Sequence, residues 1–538
     1  MKKAFFTLLI TLSLTSYTQD KPKIIIGIVV DQMRQDYLLR FQEKFSDGGF
    51  KRLIHDGFQF KNAHYNYVPT YTAPGHASIY SGTTPSNHGI IGNSWFSREK
   101  GSAVYCVSDS DASGVGGADK NGKMSPKNLL ASTITDELRL SSNFKAKVVG
   151  VSIKDRGSIL PAGHNPSGAY WFDGSTGNFM TSTYYTNELP DWVSSFNSKK
   201  LVSTYLKETW NTLLPIAQYT ESTDDDVPYE RVLKGKKSSV FPYNLKDLAK
   251  SNGLGLIRST PWGNTLVLDM ALAAIEGEGL GNDSTTDFLA VSFSSTDYVG
   301  HAFGPNSIEL QDTYLRLDGE IGRLLEILDK KFGEDYVVFL TSDHGVSNIP
   351  MYLQDVKMPG GYSDGKKATE EIKKFMTERY GDEDWVLDVS NDQVFLNRPL
   401  IEEKKMNLKK VQEDLQQFLL SFERVVDVFT SNDLAKRNAT ADPKMLIENG
   451  FNTKMSGDLA VRHKSGYVDG GYGKQGTTHG SGYTYDTHIP IIFFGSGINQ
   501  GKSVRNVAII DIAPTLSMLL GISLPSAATG KPLKELFE

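Results

Sequence analysis

Short, densely apolar runs recur along the chain, and several stop at a residue capable of chemistry. Residues 24–30, IIIGIVV, are apolar throughout and end at Asp31. Such a run between polar residues predicts a strand buried on both faces, as in parallel α/β sheets. DFLAVSF breaks into Asp297 and His301, DYVVFLT leads to Asp343 and His344, and KAKVVGVS leads to Lys154 and Arg156. The run from Ile489 to Phe494 has His488 just before it. Helices are predicted near 46–56, 127–140 and 264–277, with two charged amphipathic helices near 367–380 and 407–421. Near the end, an apolar stretch enters a helix with Asp511 at its start. The expected fold class is α/β, a mostly parallel central sheet flanked by helices.

The stretch VPTYTAPGHASIYSG, residues 68–82, places one hydroxyl, Thr72, where a helix from Ala73 to Tyr80 is predicted to begin. Thr is a good N-cap, Pro74 suits the first turn and Gly82 closes the segment. An oxygen there lies beside free N–H groups and the positive end of the helix dipole, which suits a phosphate or sulfate ester. Capping alone would explain an isolated Thr; the strand-end residues give it company.

Two regions interrupt the alternation. Residues 165–285 turn aromatic, polar and irregular, and are expected to form an inserted cap over the site. Residues 352–460 carry no ligand-type cluster and are expected to form a second insertion. Residues 101–127, rich in Gly, Ser and Asp, read as a surface excursion.

At 538 residues the chain can bury a large core. With 57 basic against 63 acidic residues and a net charge of −6, non-specific nucleic-acid binding is not its main task. Lys2 and Lys3, an apolar run to about Leu14 and small or polar residues beyond it read as a cleaved signal over residues 1–18. No stretch is long enough to span a membrane, so an exported protein, periplasmic or secreted, is expected, with the catalytic domain over 19–538 and a monomeric state. Cys106 is the only cysteine, which excludes an intrachain disulfide.

In a parallel sheet all carboxyl ends share one edge, where α/β proteins place their ligands. Asp31, Asp297, His301, Asp343, His344 and His488 can therefore converge although distant in sequence. Mixed Asp and His donors suit Zn²⁺, and they are numerous enough for two ions.

The order of Asp31, Thr72 in TAPGHAS, Asp297-Tyr-Val-Gly-His301, Ser-Asp343-His344-Gly and Asp486-Thr-His488 resembles the alkaline phosphatase superfamily. Asn93, Lys154-Asp-Arg156 and the following Gly163 and Tyr-Trp-Phe resemble, more narrowly, the PafA-type bacterial phosphatases with a threonine nucleophile. The resemblance implies one zinc on Asp297, His301 and His488, and a second on Asp31, Asp343, His344 and Thr72. It also implies a phosphothreonine intermediate.

Asn93, Lys154 and Arg156 bear on the substrate, because extra donors facing away from the metals favour a monoester dianion over a diester. Small phosphate esters are the expected substrates. A phosphodiesterase or nucleotide pyrophosphatase of the same fold is the alternative, with a non-catalytic metal- or phosphate-binding protein as a third reading. A sulfatase would need Cys or Ser in a Cys-x-Pro-x-Arg context, and Cys106 lies in VYCVSDS. His76 is expected to pack behind the nucleophile, and His55 and His88 in turn or surface roles; His479, near His488, is expected either in a turn role in GTTHGSG or orienting a ligand, and none of the four is assigned to the site.

Overall fold

The structure, a computed structural model, describes residues 21–472 and 475–538. The expected signal over residues 1–18 lies outside them. Ile24–Val30 forms a strand buried along its whole length. It pairs in parallel with Asp287–Phe293 on one side and Tyr336–Thr341 on the other. Val148–Ser152 and then Gly168–Asp173 continue the parallel order outward. The sheet has 11 strands. His488–Gly495 interrupts the parallel order, lying antiparallel between Tyr336–Thr341 and Phe58–His64. One apolar core on each face explains why the central strands are unbroken hydrophobic runs.

The helix expected over 46–56 forms at Phe50–Asp56, and that expected over 127–140 at Ile134–Ser141, after the Thr133 capping box. The C-terminal helix is Ile512–Leu520. Asp511 does not cap it with its side chain, which instead accepts from the Ala508 and Lys531 N–H groups.

Gly168–Asp173 and Asn178–Ser182, inside the expected cap, are strands of the central sheet, and the Trp262–Gly277 helix contributes buried residues to its main core. Between them, Trp210 and Tyr219 hydrogen-bond Asp312 of the long helix Ile308–Phe332. The aromatic residues of this region thus serve largely as packing on the flank.

Residues 365–463 hold a separate four-stranded antiparallel sheet, Val386–Ser390, Gln393–Leu396, Leu459–His463 and Val425–Thr430. The amphipathic helices Gly365–Tyr380 and Leu408–Leu419 cover it, closing a core of Ile372, Met376, Trp385, Leu396, Val411 and Leu415. Buried Asp458 ties this unit to the Ser94–Tyr105 hairpin by accepting from Arg98 at 2.8 Å, as well as from Arg398 at 2.7 Å.

Candidate active site

The carboxyl ends of the four neighbouring parallel strands deliver Asp31, Lys154, Asp297, Asp343 and His344 to one edge. Asp297 and His301 lie one turn apart on Ser295–Phe303, so both face the same way, with His301 Nε2 3.1 Å from Asp297 Oδ1. Thr72 opens the helix Thr72–Ser81, and its side chain caps nothing. Tyr71 holds the N-cap position, which leaves the Thr72 hydroxyl 3.4 Å from Lys154 Nζ and 3.5 Å from His344 Nε2.

Lys154 Nζ bridges Asp31 at 2.7 Å and Asp297 at 2.6 Å. Burial disfavours its charge, yet Asp297 and Asp31 raise its pKa above the usual lysine value. Burial likewise pushes the Asp297 carboxyl up, but His301 and Lys154 outweigh it and hold the group well below its usual range. Asp343 moves the other way, raised by burial and then by neighbouring Asp31.

Three buried carboxylates in one place call for cations. Asp31 Oδ1 and Asp343 Oδ2 are buried without a hydrogen-bond partner, and Asp31 Oδ2 meets the Lys154 ammonium. The imidazoles are turned to match. His301 Nδ1 lies 2.8 Å from the Thr477 carbonyl, His344 Nδ1 2.9 Å from that of Gly345, and His479 Nδ1 2.7 Å from that of Thr70. Donation to a carbonyl fixes the proton on Nδ1 and leaves Nε2 facing the carboxylates, as metal-binding histidines require. Donor atoms of Asp297, His301 and His479 lie within 4.8 Å of one another, as do those of Asp31, Asp297 and His344. Oxygen and imidazole donors without thiolate suit Zn²⁺ or a similar divalent ion.

His488 is not part of this cluster. Because its strand runs antiparallel, its start does reach the right edge. Its ring, however, stacks on His64 with centroids 4.6 Å apart, and Nε2 bonds the Lys61 carbonyl at 2.8 Å. His479, for which the sequence left a turn role or the orienting of a ligand open, stands beside His301. It lies in a glycine-rich loop without periodicity, where the order of Thr-His-Gly so close to the last strand is the only signal.

Asn93 Oδ1 accepts from the Ala73 N–H at 2.9 Å, which leaves its amide N–H groups as donors on the cavity wall. Arg156 shares that wall, with Nη1 donating to the Tyr105 hydroxyl at 3.1 Å, and that hydroxyl donating to Asp155 at 2.5 Å. Tyr105 gives the 101–127 excursion a contact with the site that composition did not reveal. The cavity above Thr72 measures about 1730 Å³, and much of its outer wall comes from residues 362–470. His76 is buried behind Thr72, its Nδ1 2.9 Å from the Thr72 carbonyl and 3.3 Å from Asp343.

A hydroxyl at a helix start, facing carboxylates and imidazoles gathered at a parallel sheet edge as candidate metal donors, marks a hydrolase of the alkaline phosphatase superfamily. The family model described as Type I phosphodiesterase / nucleotide pyrophosphatase matches residues 25–482. Alkaline phosphatase PafA of Elizabethkingia meningoseptica is 48% identical, over 96% of this chain and 94% of its own. A calcium-transporting ATPase of Myroides odoratus is 46% identical over 98% and 96%. Alkaline phosphatase PhoV of Synechococcus elongatus is 45% identical over 97% and 94%. The crystal structure of wild-type alkaline phosphatase PafA matches with a TM-score of 0.92 and 47% identity, covering 96% of this chain and 99% of that one. The chain belongs to the Type I phosphodiesterase / nucleotide pyrophosphatase family and, within it, groups with the PafA-type alkaline phosphatases.

Proposed function

We propose that this protein hydrolyses phosphate monoesters to an alcohol and inorganic phosphate, with Thr72 as nucleophile. The observation that carries the reading is the convergence of Lys154, Arg156 and Asn93 on the Thr72 end of one cavity. In the first step Thr72 Oγ1 attacks phosphorus as the ester oxygen departs with its electron pair; in the second, water displaces Thr72 from the phosphothreonine. The Lys154 ammonium, 3.4 Å away, favours the alkoxide form of Thr72. Arg156 and Asn93 supply donors for the non-bridging oxygens, and a monoester offers one more of these than a diester.

The assignment of metals is part of this proposal. Asp297, His301 and His479 would hold one zinc, and Asp31, Asp343, His344 and the Thr72 oxygen a second. Bound there, the ions supply charge stabilisation at the nucleophile and at the departing oxygen. His479 takes the place that the sequence pattern assigned to His488.

The ATPase name of the Myroides odoratus relative fits the same chemistry in part, since cleaving ATP is attack on a terminal phosphoryl group. No helix among the described residues is long and apolar enough to cross a membrane, and transport is not proposed. The amino-terminal pattern supports export to the periplasm or medium; a monomeric chain acting on small phosphate esters completes the proposal.

The test compares kcat/KM for an aryl phosphate and the matching bis-aryl phosphate on zinc-loaded protein, with an acid quench to trap phosphothreonine. A strong monoester preference with labelled Thr72 is expected. A diester preference would overturn the substrate class and favour a phosphodiesterase, and no turnover of either would favour a binding protein.

A further inference from the structure

Gln32 follows Asp31 at the end of the first strand and is 2% exposed. Its backbone has φ +67°, in the left-handed region that is strained for a non-glycine residue. Held in this conformation, its two donors point in different directions. The backbone N–H donates to Asp343 Oδ1 at 3.1 Å, and the side-chain amide donates to Asp297 Oδ1 at 2.8 Å. Asp297 is the one carboxylate common to both candidate donor groups. Gly300, between Asp297 and His301, makes room for the amide: a Cβ there would fall on Gln32 Oε1.

An amide is suited to this task. Its NH₂ group donates to an oxygen that keeps a further lone pair for a metal, and it brings no charge of its own to a crowded site. Thr296 adds a second tie between the same elements, its hydroxyl donating to the Asp31 carbonyl at 2.6 Å.

We propose that Gln32 is a positioning residue for metal binding, orienting Asp297 through its side chain and Asp343 through its backbone. The strained backbone is maintained because it places both donors at once. This rests on the reading that these carboxylates hold metal.

The test uses Gln32→Leu and Gln32→Gly in the full chain. Zinc affinity is measured by competition with a chromogenic chelator, beside the Tm of the metal-free protein. Both variants are expected to bind zinc about 10–100-fold more weakly, as is typical when a partner of a ligand is lost. Turnover should recover as zinc is raised. Gln32→Gly removes the strained side chain and should leave the metal-free Tm unchanged or higher, so weaker zinc binding by this variant cannot be blamed on misfolding. Unchanged zinc affinity in the glycine variant, with a lower metal-free Tm, would overturn the proposal and leave Gln32 a packing residue. Failure of the unmodified protein to bind zinc would instead overturn the metal assignment under Proposed function.

Discussion

The His479 ring lies face to face with the His344 ring, centroids 3.4 Å apart and planes within 12°. Burial lowers both pKa values, His344 to about 3, and their mutual proximity adds to this for His479. Two neutral imidazoles so close, each with Nδ1 committed to a carbonyl, are arranged as donors to ions. His479→Ala is therefore expected to lose bound zinc and to lower kcat/KM by more than the ~10–100-fold typical of outer partners. His488→Ala should leave both near normal. Metal analysis and initial rates on the two variants check this; equal effects would show that the structural assignment of His479 is mistaken.

Tyr105 holds Arg156 from behind. Burial and then Tyr105 and Asp155 bear on the guanidinium, with burial opposing its charge and both side chains favouring it. Removing the hydroxyl in Tyr105→Phe takes a partner from a buried cation whose Nε already lacks one. Monoester kcat/KM should fall about tenfold, the equivalent of the ~1.5 kcal/mol that a hydrogen bond to a charged group contributes. Diester hydrolysis should change little, because a diester presents one fewer oxygen to Arg156. Parallel kinetics on matched substrates read the ratio.

The sheet was legible because its central strands are buried on both faces, so hydrophobicity alone marks Ile24–Val30, Asp287–Phe293 and Tyr336–Thr341. The polar residues just beyond those runs were legible for the same reason. Facing was not. His488 reaches the correct edge, but its side chain pairs with His64 across an antiparallel ladder whose direction cannot be read from one strand. His479 and Gln32 were hidden for another reason: their roles depend on contacts with Thr70 and Asp297, each hundreds of residues away in the chain. Aromatic density marks packing as readily as a binding wall: Trp210 of the expected cap serves packing, while Arg231 and Leu233 of the same stretch line the cavity.

Gly75 sets the distance between the Thr72–Ser81 helix and the Asp343 loop. A Cβ built there would fall on the Asp343 carbonyl oxygen and 2.7 Å from Asp343 Cβ. Backbone cannot swing aside as a flexible side chain can, so Gly75→Ala must push Thr72 and Asp343 apart. The expected cost is about 1–3 kcal/mol of stability, the range for overpacking a close-packed site, together with weaker zinc retention. Denaturant midpoints and metal content measured side by side check both effects. A loss of stability with full zinc retention would mean that the strain is absorbed away from Asp343.

His88 supplies a pH prediction remote from the metal donors. It is fully buried, its Nδ1 accepting from the Ile90 N–H at 3.1 Å and its Nε2 2.9 Å from the Ser78 hydroxyl. Burial pushes its pKa down to about 3, whereas an unfolded histidine protonates near ~6.5. Between those values the unfolded chain binds more protons, so stability from this group is complete above about pH 6.5 and declines as pH falls. His88→Gln retains an acceptor and a donor but cannot titrate. It should be less stable than the unmodified protein at pH 7, and the gap should narrow steadily toward pH 4.5. Melting temperatures of the two proteins at matched zinc loading measure this gap, and a gap independent of pH would show that His88 titrates in the fold as it does in the unfolded chain.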